Sequence, residues 1–394
     1  MQQADTCVAC GMCLPHCPTY QLTQSESESP RGRVSLIKGY LQNQIEVDDI
    51  LIEHLDHCLL CRNCESICPA DVPFAHLMDK TRARLLSRKR KQFLSRIFLL
   101  LLAHKRFLNK ILVAASLIPF AKIRKLISGS QKRLSRYMSV ASRIQPMSKL
   151  QKYYPATQKS EFTVALFTGC LESSFNANTV IDTINVLNIL GINVHVPAAQ
   201  QCCGAMHLHA GDDKTAWRLS QKNLDVFSSL EVQYVIGIST ACTDLMIEQQ
   251  NSVTTSQPCK FIEISSFLEE IKWHQIKQPN RLSQSIYLHY PCSQRNGLES
   301  SVMTKTLLER IPELEITELS GNQCCGAAGM YMFDYPDWSD RLRSQLLSAC
   351  EGDCHTIVTS NLGCLLHFQQ AGNLAECEVI HPVNLLSSAL GCNL

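Results

Sequence analysis

The stretch CVACGMCLPHCP, residues 7–18, confines four cysteines to eleven positions and closes on a proline. CLLCRNCESICP, residues 58–69, does so again. Cys7, Cys10, Cys13 and Cys17 before Pro18 spell C-x2-C-x2-C-x3-C-P, and Cys58, Cys61, Cys64 and Cys68 before Pro69 repeat the spelling at a constant displacement of 51 residues. A chain that must twice gather this many thiols is constrained by that demand before any hydrophobic pattern.

Thiolates are soft ligands, and four of them hold a [4Fe–4S] cluster with one sulfur on each corner iron. Three cysteines two residues apart wrap the chain around one face of the cube and aim backbone amides at its sulfurs. The fourth sits one residue further off, and in two-cluster ferredoxins it serves the other cluster. The motifs therefore predict one cluster on Cys7, Cys10, Cys13 and Cys68, and a second on Cys58, Cys61, Cys64 and Cys17. Zinc is the competing metal, but its four-cysteine sites use two C-x2–4-C pairs rather than this run.

Disulfides are the other use for 21 cysteines in 394 residues. They need an oxidising compartment, and MQQADTCVACG offers neither a basic n-region nor an apolar h-region. A composition 45 % hydrophobic and 18 % charged belongs to globular chains, and the length allows several cores. Between the motifs, RVSLIKGYL and DDILIEHLDHCLLC show helical spacing, so the cluster carrier is expected to be helical. SESESPRGR reads as a polar loop, with Pro30, Arg31, Gly32 and Arg33 as its turn or with the two arginines on a partner's acid.

The net charge of +2 hides an asymmetry. From Lys80 to Lys152 there are 20 Lys and Arg and no Asp or Glu, leaving 17 basic and 35 acidic residues elsewhere. IFLLLLA and ILVAASLIPFA lie inside this stretch, each too short to span a bilayer, so two amphipathic helices are expected. They suit an anionic membrane surface, an acidic groove on a partner, or packing between domains. Charge reversal at Arg88, Lys89, Arg90 and Lys91 is expected to release or split the complex if they dock. Nucleic acid is not expected, because no aromatic platform accompanies the charge.

Past residue 160 the texture becomes α/β. FTVALFTGC, INVHVP, VQYVIGIST, QSIYLHYPC and HTIVTSNLGC read as buried strands, with NTVIDTINVLNILG and TKTLLERI as helices. Cys170, Cys202, Cys203 and Cys242 reappear as Cys292, Cys324, Cys325 and Cys364, every one displaced by 122, and QCCGA occurs twice. Each half is thus a copy of one domain. Strand ends of an open parallel sheet gather at one crevice, which would bring four thiols of each half together. The glycines after the paired cysteines, Gly204 and Gly326, are expected to let backbone and cluster approach closely.

The two CCG motifs resemble the cysteine-rich domains of heterodisulfide reductases. With GMCLPHCPTY and PRGRVSLIK ahead of them, the full length is similar to the glycolate oxidase iron–sulfur subunit family; the anaerobic glycerol-3-phosphate dehydrogenase iron–sulfur subunit shares the layout. The resemblance implies a multidomain chain: a two-[4Fe–4S] α-helical ferredoxin domain at 1–79, a basic amphipathic helical connector at 80–160, and α/β cysteine-rich domains with mainly parallel sheets at 161–280 and 281–394. It implies an electron-transfer subunit, cytoplasmic and peripheral at the inner face of the cell membrane. Partner flavoprotein subunits would oxidise glycolate to glyoxylate, and quinone or another membrane acceptor would take the electrons. No G-x-G-x-x-G opens a βαβ unit here, so no catalytic residue is assigned.

The family's fuller motif ends C-x2-C, where this chain has Ser239 and Asn361 at the first positions. A half short of one thiol holds a further cluster differently, holds none, or shares one with the other half. Cys170, Cys202, Cys203, Cys242, Cys292, Cys324, Cys325 and Cys364 are accordingly candidate additional ligands, against the reading of buried thiols left by a degenerate repeat. Cys259, Cys350, Cys354, Cys377 and Cys392 match no offset and read as ordinary thiols. His207 and His209 read as loop or core histidines.

Overall fold

The computed structural model describes residues 2–87, 93–116, 118, 132–145, 150–157, 162–253, 258–319, 323–350, 356–371 and 377–392. Arg88, Lys89, Arg90, Lys91 and Cys354 lie outside the described residues.

Two sheets carry the larger part of the chain. The first orders its strands β1-β3-β2-β4-β5, from β1 (Tyr153–Tyr154), β2 (Thr163–Phe167), β3 (Asn193–His195), β4 (Tyr234–Gly237) and β5 (Lys260–Glu263). The second runs β7-β6-β8-β9, from β6 (Gln284–His289), β7 (Leu314–Glu318), β8 (Thr356–Thr359) and β9 (Glu378–Ile380). All pairings are parallel except β1 on β3. The 122-residue displacement runs through the scaffold as well as the thiols: β4 at 234–237 corresponds to β8 at 356–359.

Alternation along each strand sorts the core. Val164 and Leu166 face one apolar cluster with Ile286, Leu288 and Val358, so both halves share it. Ala165 and Phe167 face another, which also holds Tyr287, Ile357 and the connector's Leu99, Leu102, Leu108 and Leu112. Helix Ala177–Ile189 packs on Pro382–Ala389, and Ile264–Glu270 packs on Ser301–Glu309. The halves are thus joined through reciprocal helix contacts.

Glu263 closes β5 and caps the helix that follows, accepting from the Ser266 amide at 3.2 Å and the Ser265 hydroxyl at 3.1 Å. Burial pushes its carboxyl up from 4.5 to about 7. The folded chain therefore binds the extra proton between those values, and stability falls as pH rises through that window; the cost above it is roughly 3 kcal/mol. Glu263→Gln is expected to raise the melting temperature at pH 8 and change it little near pH 4.5, measured by thermal scans at both.

The N-terminal region is helical, with Pro30–Leu41, Asp49–Asp56 and Phe74–Leu85 around a core of Val34, Ile37, Leu55, Leu77 and Met78. The polar-loop reading of SESESPRGR is corrected here. Ser29 accepts from the Gly32 amide as N-cap and Pro30 takes the first helical position, where its missing N–H costs nothing. Both arginines pair with acids of this chain. Arg33, 1 % exposed, pairs with Glu28 at 2.5 Å, and Arg31 reaches Glu26 and the Ala9 carbonyl.

The connector forms helices Phe93–Leu102, Lys105–Ser116 and Lys132–Ala141. No helix among the described residues is long and apolar enough to cross a membrane.

Candidate metal centres

The two cysteine motifs fold into matching loops. Ala9 and Gly11 have φ of 56° and 85°, and their counterparts 51 residues on, Leu60 and Arg62, have 52° and 62°. Left-handed residues at alternate positions coil the chain inward, and three of the four are not glycine, so the geometry is held against a local cost. The Leu60 amide donates to the Cys58 sulfur at 3.4 Å. Cys17, Cys58, Cys61 and Cys64 line one small cavity together. Burial raises the Cys61 and Cys64 thiols well above the ordinary value, which a bound cation would reverse. Cys7 and Cys68 pack against one apolar cluster, while Cys10 is exposed.

A buried charge network fastens Cys17. Arg33 donates to Thr19 Oγ1 at 3.0 Å and to the Glu28 carbonyl at 2.7 Å, and Thr19 Oγ1 lies 3.3 Å from Cys17 Sγ. His54 and His57 both approach Glu28 Oε1, at 2.6 and 2.9 Å. Burial works to raise the Glu28 pKa, but the His57 hydrogen bond and the Arg33 charge outweigh it and the net shift is downward. These ligating atoms lie close enough for a metal ion, yet the Arg33 guanidinium already supplies the positive charge. Nothing in the sequence pattern marked this network except Pro30 and the two arginines beside it.

In the first half, Cys170 follows β2 and Cys242 stands on the first turn after β4, with Cys202 and Cys203 before helix Ala205–His209. Cys170 Sγ meets Cys202 Sγ at 3.4 Å, and Cys203, next in sequence, lies beside Cys242. In the second half Cys292 lies beside Cys324, Cys325 follows it in sequence, and Cys325 Sγ meets Cys364 Sγ at 2.9 Å. Each half keeps a contiguous row of four thiols without the missing fifth. No disulfide forms among the described cysteines.

Ser239 and Asn361 explain the departure. They stand 122 residues apart and bond each other, Ser239 Oγ to Asn361 Oδ1 at 2.9 Å, while Asn361 Nδ2 reaches Cys364 Sγ at 3.4 Å. Equivalent residues that touch must lie on the axis relating the halves. The positions that lack a thiol are spent on joining the two copies.

Gly204 and Gly326 serve packing. At φ of 99° and 87°, a Cβ would come within 2.8 Å of the Ala216 backbone or the Ser339 carbonyl. What these glycines admit is the next helix.

Both thiol rows open onto a single cavity of about 710 Å³, with Phe98, Phe167 and Phe333 among its apolar walls. Glu172, 3 % exposed, also lines it; its Oε1 has no hydrogen-bond partner and burial pushes its carboxyl up to about 7. Sequence reasoning missed this residue, although the 122 offset places Gln294 opposite it and so marks the halves as unequal. Lys105, pushed down to about 8 by burial, faces Cys170 and Cys202. His207 is a core residue whose Nε2 meets the Leu99 carbonyl at 2.9 Å and whose ring reaches the Cys202 thiol.

The second N-terminal loop packs against the second row, while its Arg62 approaches Asp244 of the first half at 3.9 Å. Cys61 and Leu59 pack with Cys292 and Cys324. Asn296 clamps the contact, donating to the Cys61 carbonyl at 2.7 Å and to Asn63 Oδ1 at 2.6 Å.

Residues 3–72 match the 4Fe-4S dicluster domain, and residues 164–247 and 286–369 each match the cysteine-rich domain, CCG. The chain belongs to the iron–sulfur subunit family that includes those of glycolate oxidase. It is 28 % identical to the probable glycolate oxidase iron-sulfur subunit of Bacillus subtilis, covering 98 % of this chain and 94 % of that one. The glycolate oxidase iron-sulfur subunit of Escherichia coli is 27 % identical over 98 % and 93 %. One chain of that organism's anaerobic glycerol-3-phosphate dehydrogenase is 25 % identical over 98 % of both. A crystal structure of a hypothetical protein from Helicobacter pylori superposes with a TM-score of 0.53 at 11 % identity, covering 92 % of this chain and 68 % of that one, a likeness of fold alone. Members of this family are iron–sulfur subunits of oxidoreductases, and the thiol-rich loops here suit such clusters by donor type, burial and backbone amide placement.

Proposed function

We propose that this chain is the electron-transfer subunit of a complex in which a partner flavoprotein oxidises glycolate to glyoxylate and a membrane quinone receives the electrons. Within it, Cys7, Cys10, Cys13 and Cys68 hold one [4Fe–4S] cluster, and Cys58, Cys61, Cys64 and Cys17 hold another. The rows Cys170–Cys202–Cys203–Cys242 and Cys292–Cys324–Cys325–Cys364 hold further iron–sulfur centres. When bound, such clusters store and pass single electrons without bond rearrangement in the protein.

The supporting observation is the contact between Cys61 and the Cys292 row, clamped by Asn296. It brings the second motif against the cysteine-rich half, where Cys61, Cys292 and Cys324 line the same cavity. Leu59, Leu22, Tyr331 and Leu342 wall the junction. The chain's contribution is thus to hold thiol sets at fixed separations in a largely apolar setting.

The test uses the complete complex prepared without oxygen. Glycolate should reduce the flavin and then a soluble quinone. Asn296→Ala should keep the iron content and flavin reduction while slowing quinone reduction by about tenfold, the rate cost of loosening a positioned contact. Unchanged quinone reduction would remove the proposed junction from the relay. The same relay suits glycerol 3-phosphate or lactate as reductant, and turnover with each partner flavoprotein discriminates among them.

A second reading has its own observation, the 710 Å³ cavity with the unpartnered Glu172 oxygen. That space suits a catalytic role for the cysteine-rich halves of the heterodisulfide-reductase kind. Disulfide reduction by this chain alone, lost in Cys203→Ala, would favour it.

A further inference from the structure

The connector's hairpin is apolar on two sides. Leu99, Leu102, Leu108 and Leu112 point into the core, and Ser95 and the Leu99 carbonyl bond Asp334 and His207 on the body below. On the solvent side of helices Phe93–Leu102 and Lys105–Ser116 stand Ile97, Leu100, Phe107 and Val113, the last three 57, 59 and 63 % exposed. Arg96 and Lys110 are exposed between them. An ordinary surface helix gives its outer side to polar residues, so this outer side is built to meet something.

We propose that the outer side of this hairpin, centred on Leu100, Phe107 and Val113, docks the chain on the anionic surface of a lipid bilayer. Short helices lying in the interface bury apolar residues shallowly and place Lys and Arg at the headgroups. Neither helix can span, so the contact is peripheral. The choice of lipid over a protein groove rests on the distribution of charge. Arg96 and Lys110 are exposed on a hairpin that carries no Asp or Glu from Phe93 to Ser116, and charge of one sign complements a uniformly anionic plane better than a bounded pocket. This deepens the functional reading by naming the surface that faces the membrane acceptor, but its test does not depend on the clusters.

Full-length chain with its iron intact is mixed with phosphatidylcholine vesicles containing about 30 % phosphatidylglycerol, and with phosphatidylcholine vesicles alone. The anionic vesicles should bind the chain at least about tenfold more tightly, with binding weakened by added salt. Leu100→Asp with Phe107→Asp should lower binding to anionic vesicles by about tenfold or more, and Arg96→Glu with Lys110→Glu should remove much of the preference for them. Phe107→Trp gives a second measure that needs no destabilising change: the emission of the introduced indole should shift to the blue on binding and be quenched by shallow lipid-borne nitroxides. Equal binding to both vesicle types, an unshifted indole emission from the Phe107→Trp variant, or wild-type binding by the double aspartate variant would each overturn the proposal. So would aspartate variants that lose the partner flavoprotein but keep the vesicles. In all of these cases unchanged iron content leaves the relay standing.

Discussion

Cys64→Ser is expected to lose one complete iron–sulfur centre, about four irons with their sulfide, while the visible absorption of the remainder persists. The prediction extends to a pairing that separates crossed from uncrossed ligation. Cys17 lines the same cavity as Cys58, Cys61 and Cys64, so Cys17→Ser should erase the same paramagnetic signal as Cys64→Ser. Cys68→Ser should instead erase the one lost with Cys10→Ser. Low-temperature EPR of the four dithionite-reduced variants decides the matter; if Cys17→Ser matched Cys10→Ser, the crossing would be wrong. Cys350→Ser is the control and should keep all its iron.

Arg33→Met should be the most damaging change away from the thiols. It leaves Glu28 buried and ionised with only His54 and His57 beside it, and strips donors from the Glu28 carbonyl, Thr19 and the His54 carbonyl. Breaking one side of a buried pair costs about 3–5 kcal/mol. Because the Glu28 pKa is lowered from 4.5 when folded, the stabilisation is present above that value and lost as pH falls through the folded one. The stability gap between variant and wild type should therefore narrow in acid. Urea unfolding at pH 7 and pH 4 measures both; a constant gap would show that Arg33 acts through packing alone.

The duplications were legible because they repeat at fixed displacements. The 51-residue offset marks the thiols and also the left-handed positions Ala9, Gly11, Leu60 and Arg62, although only one of these is glycine. Buried strands such as TVALF announced themselves by apolar runs. β7 did not, since most of LEITE is exposed and its pattern is that of an edge. β1 has two residues and exists only through its antiparallel pairing to β3. Ser239 and Asn361 could be read from sequence only as absent ligands, because what they bond is each other across 122 residues. The connector's apolar residues gave helices but no direction, since both sides of the hairpin are greasy and only the fold tells core from exterior.

The reciprocity of the two halves bears on ancestry. Helix Ala177–Ile189 leans on the last helix of the other copy, Ser301–Glu309 leans on its equivalent, and the Thr240 amide donates to the Ser360 carbonyl beside the Ser239–Asn361 bond. That is the self-complementary contact of a two-fold homodimer, closed within one polypeptide. A forebear carrying a single cysteine-rich unit would have paired through the same face, and tandem fusion then freed each unit to diverge: Glu172 in one, Gln294 in the other.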